Sequence, residues 1–477
     1  MNWENLCQKV IKNSFYLLFI LVPLILTPYN YELFEFNKML TVYFLAVIIL
    51  AAWIIRMIYL KKILFCRTPF DIPLILFLLS QIIATILSID PHTSIWGYYS
   101  RFHGGLLSTV SYLLLYFAYT SNLKADKKFT LNSLTIILIT ALIVSFYAIL
   151  EHFGIDKHIW VQDVQSRVFS TLGQPNWLAA YLLTLLPLPL ALCLKSKSKK
   201  NLAYYLLLIT GCYLALLFTR SRSGLAGFGV AFIIFWVLII LKKGFYSFPW
   251  KKLLLITGYL LLITFLIGTD FTPSVKQFIT RSFQPRASVG LAETAPAVTL
   301  GGSKSSDIRK VVWQGAIDIW KHYPVFGSGV ETFAYSYYNF RPVAHNLLSE
   351  WDFLYNKAHN EFLNFLATTG AFGLISYCLI IVWYTVWSVI KLKSRSGYLI
   401  AGFLAGFLGL AVSNFFGFSV VPIALFFFLW PAFSFSLTQP RIQARSRPRP
   451  YYSLSVSQSA AIFFVCLLTL YLLSQVI

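Results

Sequence analysis

Apolar runs of about 17–25 residues, each long enough to cross the hydrocarbon core of a bilayer, recur along the whole chain. Thirteen of them are centred near Leu21, Ile48, Leu79, Leu113, Leu142, Leu186, Leu208, Phe232, Leu261, Cys378, Ala405, Phe427 and Val465. Inside a bilayer every backbone N–H and C=O needs a partner within the protein, so a chain of this kind folds as a bundle of helices. The expected fold class is therefore an all-α polytopic membrane protein. Composition agrees, with 58% of the 477 residues hydrophobic and 12% charged, where an average soluble domain has about 25% charged residues. A soluble globular enzyme, a disordered chain and a repeat scaffold are excluded. The first run is followed by Thr27-Pro28-Tyr29-Asn30 and not by a small-residue cleavage site, so it reads as a retained span.

The formal net charge of +22 would suggest nucleic-acid binding in a soluble protein. Here its meaning depends on which loops carry it. One alternating set of loops holds Lys9 and Lys12; Lys61, Lys62 and Arg67; Lys124, Lys127 and Lys128; Lys195, Lys197, Lys199 and Lys200. It continues with Lys242, Lys243, Lys251 and Lys252; Lys391, Lys393 and Arg395; and Arg441, Arg445, Arg447 and Arg449. With Arg56, that set contains 24 of the 39 basic residues and three of the 17 acids. The positive-inside rule places it in the cytoplasm, with the N-terminus inside and the C-terminus outside. The charge is then a topology signal of a multi-pass plasma (inner) membrane protein, and no nucleic-acid partner is implied. The six cysteines lie outside the extracytoplasmic loops and read as small buried residues, without a disulfide framework or a CxxC metal site.

Three sections follow: spans 1–9 over residues 1–268, an extracytoplasmic loop over 269–360, and spans 10–13 over 361–477. A loop of that length between spans is commonly functional. Within it, the spacing of Ile308, Val311, Val312, Gly315, Ile319 and Trp320 predicts an amphipathic helix over Ser306–His322, ended by Pro324 and the Gly327-Ser328-Gly329 turn. The stretch Pro285–Ser306, rich in small residues, reads as a mobile loop. The span interiors hold almost no ionisable residues, which argues against an ion-coupled transporter. Gly402 and Gly406 form a GxxxG that suits close helix packing.

All seven histidines fall on the outer face, and so do four constellations that could carry chemistry. In the turn Thr219-Arg220-Ser221-Arg222-Ser223-Gly224, two arginines stand at the start of span 8. Helix N-terminal N–H groups and guanidinium forks suit a phosphate or diphosphate; anchoring at lipid headgroups fits the same residues. Arg167 precedes Gly173-Gln174-Pro175-Asn176-Trp177 at the start of span 6, where Asn176 is expected to cap the helix. Trp96-Gly97, Arg101 and His103-Gly104-Gly105 enter span 4, where an interfacial anchor is an equal reading. Lys357-Ala358-His359-Asn360-Glu361 opens span 10, where His359 is a cap or a proton-accepting base. No HExxH or paired-histidine spacing points to zinc.

These pieces in this order resemble the O-antigen ligase/polymerase family, membrane proteins that transfer glycans from undecaprenyl diphosphate. The resemblance rests on Trp96-Gly97, Arg101 and Gly104; on Gly173, Pro175, Asn176 and Ala179; and on Ser221-Arg222-Ser223-Gly224. It continues through Arg309, Trp313, Pro324-Val325-Phe326-Gly327-Ser328-Gly329 and Phe333 to His359-Asn360, Leu363 and Gly370-Ala371-Phe372-Gly373-Leu374. It covers roughly residues 90 to 385. The resemblance implies a C-type glycosyltransferase-like bundle of 12–13 spans and a metal-independent, inverting transfer that uses no cofactor. The donor would be an undecaprenyl-diphosphate-linked glycan, and the acceptor a hydroxyl of a glycan, lipid or protein. By the same analogy Arg222 and Arg309 hold the diphosphate, with Arg220, Arg167, Arg101 and Arg281 as further candidates, and His359 orients or deprotonates the acceptor hydroxyl. A ligase acting on a lipid A–core sugar is the leading reading. A repeat-unit polymerase and a protein O-oligosaccharyltransferase share the same fold, and a solute transporter represents another class. Two features depart from the pattern: a thirteenth span, and a second His-Asn pair, His345-Asn346, which competes with His359 for the catalytic role.

Overall fold

Regular structure among the described residues is entirely helical. The computed structural model describes residues 3–269, 271–272, 275, 305–440 and 454–476; Arg281 and residues 285–304 of the stretch read as a mobile loop lie outside these. In chain order the helices are α1 (Trp3–Leu24), α2 (Glu35–Leu60), α3 (Asp71–Ile86), α4 (Pro91–Trp96), α5 (Leu106–Leu123), α6 (Lys127–His152), α7 (Pro175–Leu185), α8 (Pro187–Lys195), α9 (Lys199–Phe218), α10 (Arg222–Lys243) and α11 (Trp250–Ile267). Further along the chain come α12 (Ser305–His322), α13 (Phe333–Phe340), α14 (Glu361–Lys391), α15 (Gly397–Asn414), α16 (Val421–Thr438) and α17 (Val456–Val476).

Eleven helical segments are long and apolar enough to cross a membrane, so the chain is an all-α polytopic membrane protein. The runs centred on Leu79 and Leu113 are helical too. Of these, α3 has 16 residues and α5 has 18, the latter interrupted by serine, threonine and tyrosine. Packing along α14 for α3, and between α2 and α16 for α5, gives both a place in the bundle. The run centred on Leu186 divides into α7 and α8 at Pro187, which has no N–H to donate.

Burial separates axis from periphery. The α7–α8 pair and α16 are 94% buried, whereas α11 and α17 are only 11% buried and present apolar side chains outward. Lipid tails are as apolar as leucine, so the axis depends on close approach and polar contacts. Gly402 and Gly406 of α15 show this: a Cβ at Gly406 would stand 2.1 Å from the Thr184 carbonyl oxygen, and one at Gly402 would stand 3.0 Å from that of Pro187.

Gly370 breaks α14, with φ 66° and ψ −169°. The backbone groups freed there are taken by the segment 324–329. Ser328 N donates to Ala367 O (3.1 Å) and Gly329 N to Thr368 O (2.9 Å), while Ala371 N donates to Pro324 O (3.0 Å) and Phe372 N to Val325 O (3.1 Å). Gly370 needs to be glycine twice over, for its positive φ and because a Cβ would lie 2.3 Å from the Val325 backbone. Above this seam, Ile308, Val312, Ala316 and Ile319 of α12 pack with Phe333, Tyr337, Tyr355, Ala358 and Ala367 in one apolar cluster.

The lysine-rich loops meet at one end of the bundle. Lys12 pairs with Asp126 at 2.7 Å and Arg56 with Glu4 at 3.2 Å, while Lys242 donates to the carbonyls of Leu392 and Ser394, each at 2.9 Å. The opposite end holds the histidines and the remaining arginines among the described residues. Two ionisable residues counted among its loop charges are fully buried in the first turns of α2. Lys38 donates to the carbonyls of Ile25 (3.0 Å) and Thr171 (2.8 Å), and Glu35 accepts from Val421 N (2.7 Å).

Candidate active site

The turn before α10 is built around Ser221, whose hydroxyl accepts from Gly224 N at 3.2 Å and so caps the helix. That cap leaves Arg222 at the first helical position and Arg220 just outside it, the latter with φ 47°. The Ser221 hydroxyl also donates to Asn176 Oδ1 at 2.7 Å. Asn176 does not cap α7 as expected. Gln174 stands at the cap position without a side-chain bond, Pro175 opens the helix, and the Asn176 side chain reaches sideways to Ser221 instead. Gly224 completes the junction, since a Cβ there would lie 2.4 Å from that of Ala179 on α7. The two motifs are thus one object, with α7 and α10 starting side by side.

Arg167 lies across this junction, with Nε donating to Thr219 O at 3.2 Å and a terminal nitrogen 3.5 Å from Asn176 Oδ1. From above, the first turns of α12 bring Arg309, Lys310 and Trp313. Together Arg167, Arg220, Arg222, Arg309 and Lys310 line one open cavity of about 1500 Å³, along with Asn176, Ser223, Trp313, Phe271 and Phe416. No acidic residue is among the described residues that line it, and Asp307 pairs with Lys310 at 3.6 Å from outside the lining. Burial lowers the pKa of Arg309, and Arg167 adds to the effect; guanidinium nonetheless stays charged in proteins. The Arg222 guanidinium faces the Phe271 ring at 5.8 Å. Four arginines converging on one open space favour an anion of more than one charge.

A smaller compartment of about 320 Å³ shares Asn176, Ser223 and Phe416 with the first, and His359 lines it. His359 precedes Asn360, which caps α14 by accepting from Leu363 N at 3.1 Å. It has φ 51°, a left-handed conformation uncommon for a side chain of this size. Its ring lies 5.6 Å from Tyr355 and 5.5 Å from Phe418. Burial first, then Arg309 and Arg101, hold its pKa down at about 4, so the imidazole is neutral and able to accept a proton at neutral pH.

Arg101 takes a different position from the other arginines. It stacks over Trp177 (5.0 Å) and Phe418 (5.7 Å) and acts on His359 electrostatically without lining the large cavity. Arg281 lies outside the described residues. His345 is buried, with Nδ1 hydrogen-bonded to the Tyr337 hydroxyl at 2.7 Å and Nε2 near Glu350 O at 3.0 Å. Both its ring nitrogens are committed to the loop's own packing. The sequence did not single out Lys310, Phe416 or Phe418; for the two phenylalanines only tertiary contact connects them to the arginines.

Residues 204–378, from α9 into α14, match the family model described as O-antigen ligase. A search of curated proteins finds no significant match.

Proposed function

With an O-antigen ligase domain over residues 204–378 as premise, we propose that this chain moves a glycan from undecaprenyl diphosphate to an acceptor hydroxyl at the outer face of the plasma membrane. Membrane glycan transfer of the ligase/polymerase kind follows from that domain; donor, acceptor and stereochemistry belong to the proposal. One observation carries it above the rest: four arginines and a lysine from three separated segments line a single cavity, with no acid among the described residues of its lining, that adjoins a half-buried neutral histidine. A lipid diphosphate carries its charge at the membrane boundary, where these residues lie.

In this reading Arg222 and Arg309 grip the diphosphate, assisted by Arg220 and Arg167, while Arg101 tunes His359 from behind Phe418. The acceptor oxygen attacks the anomeric carbon as its proton passes to a ring nitrogen of His359. The bond from that carbon to the diphosphate oxygen breaks, and its electron pair stays on the phosphate. Attack opposite the leaving group inverts the anomeric centre. The arginines stabilise the charge that builds on the departing oxygen, where preorganised donors act most strongly. Bound diphosphate also offsets the positive field that keeps His359 weakly basic, so donor binding raises the basicity of the residue that must take the proton. The lysine-rich end faces the cytoplasm in this proposal, and the large loop lies outside.

The test uses purified protein in lipid, an undecaprenyl-diphosphate-linked oligosaccharide and a panel of sugar, lipid and peptide acceptors. Wild type should transfer glycan, and Arg222→Ala and His359→Ala should not. Equal rates for all three would overturn the mechanism. The polymerase and protein-transferase readings differ from the ligase only in which acceptor is used.

A further inference from the structure

On the far side of the His359 loop lies a second cavity, of about 670 Å³, lined by His103, Glu331, Lys357 and Asn364 among others, with Tyr112 and Phe428 in its apolar wall. It shares no lining residue with the arginine cavity. Lys357 and Glu331 form an ion pair with side chains only 10% and 6% exposed. One Glu331 oxygen accepts from Lys357; the other, Oε2, has no hydrogen-bond partner among the described residues. A buried carboxylate oxygen without a donor is costly and calls for an explanation. Its backbone is unusual too, with φ 59°. Gly104 is the residue that lets it in, because a Cβ there would sit 2.1 Å from Glu331 Oε1.

The lining chemistry suits a sugar. Hydroxyl groups donate to carboxylate and amide oxygens, and a pyranose ring offers a flat C–H face to an aromatic surface. Tyr112 and Phe428 stack on each other at 5.6 Å with planes 8° apart, and both belong to the cavity wall. His103 is held neutral by burial and by nearby Lys357 and Arg101, leaving a donor and an acceptor on its ring. The location adds a direction. Lys357 and His359 stand two residues apart on one loop, and the Phe418 ring lies between the cavities, 5.7 Å from Lys357 Nζ and 5.5 Å from the His359 ring. An inverting displacement requires the nucleophile to arrive from the side opposite the leaving group.

From these contacts we infer that this cavity binds the terminal saccharide of the acceptor, with the unpartnered Glu331 oxygen accepting from its hydroxyl groups. The inference rests on the glycan-transfer reading and narrows it: the acceptor is a glycan and not a protein side chain. Glu331 is then a specificity residue and Asn364 a second sugar contact.

The experiment measures acceptor and donor KM separately for wild type, Glu331→Gln and the cavity-filling Thr109→Met, Thr109 lying in the cavity wall. Full-length protein in nanodiscs is supplied with lipid-linked oligosaccharide and a free oligosaccharide acceptor. Acceptor KM should rise about tenfold or more in both variants, as expected for a lost charge-assisted hydrogen bond or a blocked cavity, while donor KM moves less than about threefold. Saturation-transfer NMR of the free acceptor oligosaccharide reads binding without turnover, so it decides the matter even for a variant of low activity. Unchanged acceptor binding in both variants, or preferential transfer by wild type to a serine or threonine peptide, overturns this inference while leaving glycan transfer intact. A wild-type protein that consumes no lipid-linked donor overturns the proposed function instead.

Discussion

At the end of the bundle where the lysine-rich loops meet, Lys12, Arg56 and Lys242 find a carboxylate or carbonyl close by. At the opposite end, Arg167, Arg220, Arg222 and Arg309 come from three separated segments and line one cavity, with no acid among the described residues of its wall. The backbone differs in parallel. Six non-glycine residues among those described have positive φ, and five of them, Phe102, Ser170, Arg220, Glu331 and His359, belong to the arginine end. Charges that set topology need only be on the correct side, so ordinary loops suffice. In the proposed function, charges that bind a common ligand must converge, and strained local conformations collect at the same end.

The largest test of this contrast is His359→Ala, which should lower kcat for glycan transfer by about 10²–10⁴-fold with donor affinity retained; activity within threefold of wild type would break it. Arg222→Lys keeps the charge but loses the fork, so kcat/KM for the lipid-linked donor should fall about 10–100-fold. A rate unchanged by this substitution would mean that the arginine end, like the other, uses charge alone. Gly370→Ala should destabilise the protein by about 1–3 kcal/mol, read as a lower Tm in detergent, because the added Cβ meets the Val325 backbone.

The pH profile sharpens the comparison from another side. The His359 pKa is depressed to about 4, so its neutral form persists above that value and is lost as pH falls through it. The acid limb of kcat/KM, which reports the free enzyme, should therefore lie near pH 4. The acid limb of kcat should lie higher, because bound diphosphate offsets Arg309 and Arg101. Coincident limbs would show that the arginines and the histidine are not coupled. Smallest of all, Lys195→Ala at the lysine-rich end should change transfer by less than about twofold.

The helices were legible because hydropathy over 20 residues is a local property and lipid leaves the backbone few alternatives. All thirteen apolar runs are helical, and Pro187, visible in the sequence, marks the one that divides. Convergence was less legible. Arg220 and Arg222 are neighbours at a helix start, whereas Arg167 and Arg309 join them only through folding, and only family resemblance pointed to Arg309. Asn176 looked like a cap because it stands next to a helix start; its partner, Ser221, is 45 residues away. Lys38 and Glu35 were counted as outer-loop charges, yet α2 begins ahead of its most apolar stretch and draws both into the interior. Nothing in the sequence marked Glu331, whose unpartnered oxygen is a property of its surroundings alone.

The seam at Gly370 also decides how motion can travel. The first nine residues of α14 are cut off from the rest of the helix and fastened to segment 324–329, while their apolar face is shared with α12. His359 and Arg309 therefore ride on the same platform, and Arg222 stands on the bundle. In the proposed mechanism, any displacement shared by these two elements would keep His359 beside Arg309 and change the gap to Arg222. The break between that platform and the rest of the bundle is a single glycine, Gly370.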